Sequence, residues 1–191
     1  FGKQRLGDRE TLIALSKNLG FVVDVINPTR VNDKIISSTA IREALQEGRV
    51  ADAAAGLGRY HAVKGTVVRG FGRGRRLNFP TANLGLIEPG KLCPRDGIYV
   101  GLAHVQGETH PAAISSGNNP TFAEAKHSVE AHLLDFDRDI YDEEIEIEFV
   151  DWIRNEKKFS GEAELSAQIA EDVRIARDMI AARGLVRRIA G

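Results

Sequence analysis

One short segment, residues 69–83, combines the glycines, cations and side-chain oxygens that a phosphate and metal site requires. Glycines stand at every second position, with arginines among and directly after them: Gly70, Gly72 and Gly74, with Arg73, Arg75 and Arg76. Glycine lets backbone N–H groups approach an anion closely, and guanidinium groups donate to phosphate oxygens. A solvated turn stays open as the alternative at this point, because a Gly-x-Gly pattern alone is weak evidence.

Two neutral side chains that carry oxygen, Thr81 and Asn83, end this segment. They stand two residues apart, so an extended backbone would project both oxygens to one side. Hard cations such as Mg²⁺ prefer oxygen ligands, usually completed by nucleotide phosphates. The segment therefore predicts a nucleotide-polyphosphate site that carries its own metal ligands.

Glu130 is the candidate general base. It lies in a predicted strand, Ser128–Phe136, at the same parity as Leu134 and Phe136. A carboxylate on an apolar face costs free energy unless it is paired or has a task, and a partly desolvated carboxylate suits a general base. The other interpretation is a rim glutamate open to water. His132, two residues on, is interpreted as a packed or rim histidine, because no second His or Cys stands at metal-ligand spacing.

Three other polar segments each have a functional and a purely structural interpretation. The loop 116–122, which contains Asn119, either lines a substrate pocket or is only a turn. In the charge cluster 154–159, Arg154 could hold an anionic group, whereas such a run is usually a solvated face. Residues 37–39, Ser-Ser-Thr, either cap the helix that follows or bind phosphate at its N-terminus.

Composition excludes several classes of protein. The 191 residues, 42% apolar and 28% charged, are typical of a soluble globular protein with one domain and a smaller piece. A net charge of −1 gives no general attraction to nucleic acid, and 6% aromatic residues offer few stacking platforms. No run approaches the ~18 apolar residues of a membrane span. The single cysteine, Cys93, excludes an intrachain disulfide and fits a reducing, cytoplasmic compartment.

The first part of the chain, residues 1–58, is α/β in character. Apolar periodicity and capping residues predict a helix at 10–19, a strand at 21–26 and short helices at 40–46 and 50–57. One strand and three helices cannot enclose a core of normal size. The chain also starts at Phe1, so we expect this part to be the tail of a larger domain, with a boundary near Gly58–Tyr60.

From His61 onward the pattern changes to strands linked by Gly and Pro turns. Alternation predicts strands at 61–68, 97–105, 109–115, 128–136 and 144–152. Strands at such spacing, with no helices between them, argue for a small closed barrel. Apolar positions at helical spacing predict an amphipathic C-terminal helix over 162–182.

Five motifs in the second part follow one another in a characteristic order and spacing: Arg69–Asn83 ending in Pro-Thr-Ala-Asn, Asp96–Tyr99, Asn119–Phe122, Glu130–Phe136 and Glu156–Phe159. Together they resemble the kinase domain of the bacterial bifunctional riboflavin kinase/FMN adenylyltransferase family, also called prokaryotic FAD synthetase. Phe1–Asp8 and Ile36–Arg42 resemble the end of the family's adenylyltransferase domain. The resemblance implies domains at 1–58 and 59–191.

This resemblance implies a mainly β fold: a six-stranded antiparallel Greek-key barrel with a C-terminal helix, preceded by a partial α/β nucleotidyltransferase segment. It implies transfer of the γ-phosphoryl group of ATP to the ribityl 5′-hydroxyl of riboflavin, giving FMN and ADP. Thr81 and Asn83 would ligate Mg²⁺, and Glu130 would accept the hydroxyl proton. Residues expected at the nucleotide or the flavin are Gly72, Gly74, Arg75, Arg76, Asn119 and Arg154.

The chain departs from the family pattern at three places. Asn78 and Ala123 stand where glycine is common, although Asn tolerates a positive φ better than most residues. The His-x-Gly-His motif of the adenylyltransferase half is absent from these 191 residues, so we expect FMN but not FAD as the product. The alternative is a non-catalytic flavin- or nucleotide-binding barrel, and a nucleic-acid-binding barrel is disfavoured by the charge and the aromatic content.

Overall fold

The computed structural model describes residues 8–31, 33–85, 90–118 and 127–185. Two compact units divide the chain between Ile35 and Ile36. Each unit is built around its own secondary structure.

The first unit contains one helix and one small hairpin. Helix α1 (Arg9–Leu19) begins at Asp8, whose carboxylate accepts a hydrogen bond from the Thr11 backbone N–H at 2.8 Å, and ends at Gly20 in the left-handed conformation. Strands β1 (Arg30–Val31) and β2 (Lys34–Ile35) pair antiparallel. The strand predicted at 21–26 is wrong. A strand needs a hydrogen-bonded neighbour, and no described segment pairs with these residues.

Six strands of the second unit close into a barrel. They are β3 (His61–Val68), β4 (Ala82–Gly85), β5 (Gly97–Val105), β6 (Glu108–Asn118), β7 (His127–Leu133) and β8 (Glu144–Arg154). Their order around the barrel is β3-β4-β7-β6-β5-β8, and every pair is antiparallel. Strand β8 returns beside β5 after the consecutive neighbours β5, β6 and β7, which is the Greek-key order. The predicted barrel is therefore confirmed.

Alternate residues of the strands fill the barrel. In β7 the inward positions are Val129, Ala131 and Leu133. Glu130 and His132 lie half-buried on the opposite, outer face. The prediction that Glu130 shares a strand face with Leu134 and Phe136 is wrong, because β7 ends at Leu133 and Asp135 turns the chain with a φ of 57°.

Two short helices complete the core of the barrel unit. Helices α2 (Ser38–Gln46) and α3 (Val50–Leu57) bury four apolar residues in the same cluster as the barrel interior: Ala44, Leu45, Val50 and Ala53. The backbone N–H of Arg95 donates to the carbonyl of Leu45 at 3.0 Å. The compact unit around the barrel therefore begins at Ile36, while the family domains at 1–58 and 59–191 remain a prediction.

The predicted C-terminal helix is present as α5 (Glu162–Ala182). Its residues Ala176 and Ile180 pack with Val100, Leu102 and Val150 into a second apolar cluster on the outside of the barrel. Because the first turns of α5 are not part of that cluster, they are available to line a cavity beside the barrel.

Candidate active site

Strands β4 and β7 bring three oxygen-bearing side chains together. Asn83 and Glu130 are directly opposite each other in the antiparallel register. The hydroxyl of Thr81 donates to Glu130 Oε2 at 3.3 Å, and the side-chain amide of Asn83 lies 3.4 Å from Thr81 Oγ1. The predicted metal ligands and the predicted base are thus neighbours, although 47 residues separate Asn83 from Glu130 in sequence.

The orientation of the Asn83 amide bears on what this cluster can bind. In one orientation its oxygen faces the Glu130 carboxylate; the rotated amide would instead donate to the two carboxylate oxygens at 3.2 and 3.3 Å. The rotated amide satisfies both groups. It places the Asn83 oxygen beside Thr81 Oγ1, so the two neutral oxygens that could hold Mg²⁺ lie next to each other.

Two cavities meet at Thr81. The larger has a volume of about 570 Å³ and includes Thr81, Glu130 and the first turns of α5 through Leu165 and Ile169 in its lining. The smaller, about 330 Å³, lies on the side of Asn83 and Gly70 and also includes Thr81. Thr81 therefore belongs to the walls of both cavities, and Glu130 lines the larger one beside it.

The glycine- and arginine-rich segment forms a helical turn, α4 (Arg73–Arg76), where the sequence predicted a loop. Gly72 begins the turn with a φ of 67°, and Asn78 follows it with a φ of 63°, the positive value expected where the family has glycine. The N–H of Phe79 donates to the carbonyl of Gly74 at 2.8 Å. A Cβ at Gly74 would overlap the carbonyl oxygen of Phe79, so the turn requires glycine there.

The predicted phosphate-binding residues divide between the cavities. Gly72 and Arg75 line the smaller cavity, and Gly74 lines the larger one. Arg76 lines neither of them, and its guanidinium lies 3.8 Å from the carboxylate of Glu162 at the start of α5. The structure thus brings three of these four residues to the cavities and leaves Arg76 aside.

Arg154 lines the larger cavity, but its guanidinium is directed at the protein. It makes two hydrogen bonds to the buried carboxylate of Asp172, from Nε at 2.8 Å and from Nη2 at 2.6 Å, and donates to the carbonyl of Asn155. The pair joins the end of β8 to α5. Asn119, the remaining predicted contact, lies outside the described residues.

Several cavity residues were not among the site residues predicted from the family resemblance. Three more cations, Arg73, Lys157 and Lys158, line the larger cavity. Burial raises the pKa of Glu156, with a further contribution from the charge of Asp96, and the guanidinium of Arg154 opposes both. Arg73 belongs to the glycine-rich segment and the lysines to the charge cluster, so those two patterns were the available signals.

The smaller cavity has an aromatic and charged wall that the sequence did not reveal. The residues after β7 provide it through Arg138, Ile140 and Tyr141, and the guanidinium of Arg69 lies 4.4 Å from the centre of the Tyr141 ring. These side chains reach the smaller cavity only because the chain after β7 turns back towards the glycine- and arginine-rich segment.

The sequence model of the Flavokinase family, described as riboflavin kinase, matches residues 57–180. That range includes all six barrel strands and almost all of α5. The chain belongs to the riboflavin kinase family. The resemblance found from the motifs is therefore confirmed.

Curated relatives of this riboflavin kinase family member carry the name of the bifunctional enzyme. The bifunctional riboflavin kinase/FMN adenylyltransferase of Listeria monocytogenes is 40% identical over 90% of this chain and 54% of its own length. That of Bacillus subtilis is 43% identical over 73% of this chain and 45% of its own length. The chain thus spans about half the length of the curated relatives it matches.

A solved structure from Streptococcus pneumoniae, named as a macrolide-efflux protein, has the same fold as this family member. It aligns with a TM-score of 0.74 and 35% identity, over 80% of this chain and 50% of that one. Among the described residues, no helix is both long enough and apolar enough to cross a membrane.

Proposed function

We propose that the chain transfers the γ-phosphoryl group of ATP to the ribityl 5′-hydroxyl of riboflavin, forming FMN and ADP. The observation that carries the proposal is the contact among Thr81, Asn83 and Glu130 at the place where the two cavities meet. Phosphoryl transfer requires a donor phosphate, a metal and an acceptor hydroxyl at one point, and membership of the riboflavin kinase family supports these substrates.

The nucleotide belongs in the smaller cavity on this proposal. Gly70, Gly72 and Arg75 line it, and the Tyr141 ring, which packs against the core and under the Arg69 guanidinium, is in its wall. Backbone N–H groups near glycine and an arginine suit phosphate oxygens. Gly74 and Arg76 lie within the helical turn α4; Gly74 lines the larger cavity and Arg76 lines neither cavity.

Riboflavin belongs in the larger cavity. Its apolar lining includes Ile98, Leu165, Ile169 and Phe159, and its volume of about 570 Å³ is within the range of cavities that hold small-molecule ligands. In this arrangement the ribityl chain reaches Glu130 from the flavin side. The roles of Arg154 and Asn119 near the flavin phosphate remain predictions from the family pattern.

Glu130 accepts the proton of the ribityl 5′-hydroxyl while the oxygen of that hydroxyl attacks the γ-phosphorus. The new O–P bond forms while the bond from the γ-phosphorus to the β,γ-bridging oxygen breaks, so ADP leaves and the proton stays on Glu130. Thr81 and Asn83 supply two neutral oxygen ligands, and Mg²⁺ held there with the nucleotide would neutralise phosphate charge. Among the described residues no cluster of three His, Cys, Asp or Glu could hold a metal by itself, which favours an ion bound with the nucleotide.

The chain is the kinase part of a bifunctional enzyme on this proposal, with adenylylation of FMN carried out by the other half. The absent His-x-Gly-His motif supports that division. Incubation of the chain with riboflavin, ATP and Mg²⁺ is then expected to yield FMN without FAD, and EDTA is expected to abolish FMN formation until excess Mg²⁺ is added.

Glu130→Gln tests the proposal against a non-catalytic binding barrel. We expect kcat for FMN formation to fall by about 10²–10⁴-fold, because the amide cannot take the hydroxyl proton, while the riboflavin dissociation constant changes little. Chromatography of FMN gives kcat, and quenching of flavin fluorescence gives the dissociation constant.

Glu144→Gln is the matched control, since Glu144 is exposed on β8 and lines neither of the two cavities. It should behave as the wild type. Wild-type protein that binds riboflavin and ATP without making FMN would support the binding barrel instead.

A further inference from the structure

The pairing of β4 with β7 includes Asn83 and Glu130 but stops one residue short of Thr81. The last backbone partners are Ala82 and Ala131, so Thr81 comes next, opposite His132. Pro80 precedes Thr81 and has no N–H to extend the strand. The position of the Thr81 hydroxyl therefore depends on something other than the backbone ladder.

A hydrogen bond from the His132 side chain holds the backbone at Pro80, where the β4–β7 pairing has ended. Its Nδ1 lies 2.8 Å from the carbonyl oxygen of Pro80. A carbonyl can only accept, so Nδ1 carries the ring proton. The His132 ring also packs edge-on against Phe79, with centroids 5.5 Å apart.

The segment that leads to Thr81 is thus held on both sides. On one side Phe79 N–H donates to the carbonyl of Gly74 in the α4 turn, and on the other the Pro80 carbonyl accepts from His132 on β7. Because the Pro80 carbonyl belongs to the peptide group that joins Pro80 to Thr81, fixing this group fixes the Thr81 backbone next to Glu130.

We propose that His132 is a positioning residue for phosphoryl transfer: its Nδ1–H holds the Pro80 carbonyl so that the Thr81 hydroxyl lies at the metal–nucleotide position beside Glu130. The inference rests on the proposed function. It assigns to His132 no contact with the transferred phosphoryl group, and it predicts an effect on binding of the metal–nucleotide pair from a residue that lines the other, larger cavity.

Two substitutions separate the hydrogen bond from the ring. His132→Phe keeps an aromatic ring against Phe79 and removes the donor. His132→Asn removes the ring but keeps an N–H donor at the δ position. His132→Gln carries its N–H donor one atom further from the backbone, so it lacks a donor at the δ position. It replaces His132→Phe if the Phe variant does not fold.

The main readout is calorimetric binding of ADP in the presence of Mg²⁺. We expect His132→Phe to weaken it about tenfold, the size of one lost hydrogen bond, and His132→Asn to stay within about threefold of the wild type. Riboflavin affinity is measured in parallel, because His132 also lines the larger cavity. In the wild type, ¹⁵N NMR of the imidazole should place the ring proton on Nδ1.

Three results would overturn the inference: equal weakening in the Phe and Asn variants, a change in riboflavin affinity alone, or a ring proton on Nε2. A wild-type protein that makes no FMN from riboflavin and ATP contradicts the proposed function instead. The two failures are distinguishable, because the NMR and ADP measurements do not require turnover.

Discussion

At the scale of single residues, the position of Thr81 matters more than its chemistry. A threonine hydroxyl is a common group, but this one lies in the wall shared by two cavities and 3.3 Å from Glu130. In phosphoryl transfer the attacking and leaving oxygens lie on opposite sides of the phosphorus. On the proposed function, Thr81 would therefore help to hold the metal and the nucleotide from one cavity while the acceptor approaches from the other.

Gly70 provides the space that Asn83 occupies. A Cβ at Gly70 would lie 2.7 Å from the Cγ, Oδ1 and Nδ2 atoms of Asn83. We expect Gly70→Ala to push the amide out of its place, lower kcat for FMN formation about tenfold or more, and raise the Mg²⁺ concentration needed for half-maximal rate. Steady-state assays over a Mg²⁺ series measure both quantities.

Gly161→Ala is the control for Gly70→Ala. Gly161 has an extended φ of −173°, and a Cβ at this position would have nothing within 4 Å, so the same change of residue meets open space. Its kinetics should match the wild type. If Gly70→Ala also kept the wild-type Mg²⁺ dependence, Asn83 would have no part in holding the ion.

At the scale of secondary-structure elements, local patterns predicted α5 and the capped helix α2 well, because a helix is set by residues three and four positions apart. The strand at 21–26 failed, since a strand depends on a partner elsewhere in the chain. The placement of the Thr81 and Asn83 side chains on one side of the chain was predicted from the two-residue period of an extended backbone. Their meeting with Glu130 depends on the β4–β7 register, which composition and periodicity do not give.

Helix α2 stabilises the barrel although it precedes the range matched by the family. Leu45 is only 3% exposed and belongs to the cluster that fills the barrel. We expect Leu45→Ala to lower the free energy of unfolding by about 2–5 kcal/mol. Trp152, the single tryptophan, lies in β8, and its ring reaches the turn at Gly48 after α2. Its fluorescence during urea denaturation therefore reports on the barrel and on the packing of α2 against it.

Gln46→Ala, an exposed change on the same helix, should leave the Trp152 transition in place. A Leu45→Ala variant whose Trp152 transition matches that of the wild type would show that the Leu45 side chain does not stabilise the barrel.

At the scale of the whole molecule, the net charge of −1 does not describe the larger cavity, whose lining has four cations and three carboxylates. Arg73, Lys157 and Lys158 line the larger cavity together with Arg154. The Arg154 guanidinium is paired with Asp172, so it contributes more to joining β8 and α5 than to attracting anions. On the proposed function, attraction of a phosphate group in this cavity would therefore fall mainly to the other three cations.

Burial of His61 makes the stability of the barrel depend on pH. The His61 side chain begins β3, is 9% exposed, and its Nε2 lies 2.7 Å from the carbonyl of Leu92. Loss of hydration lowers the pKa of His61 below 6.5; the Leu92 carbonyl opposes this shift, and the charges of Lys91 and Arg59 add to it. The unfolded chain thus takes up a proton at a higher pH than the folded protein.

Stability from the neutral His61 is consequently full above the unfolded pKa of 6.5 and is lost as pH falls towards the lower folded value. We expect His61→Gln, which keeps an N–H donor at the ε position for Leu92, to lose less Tm than the wild type between about pH 7.5 and about pH 5.5. Burial also lowers the pKa of His127, against the charge of Asp96, but that group is the same in both proteins and cancels in the comparison. Scanning calorimetry at several pH values gives the two slopes, and equal slopes would mean that His61 does not link proton uptake to unfolding.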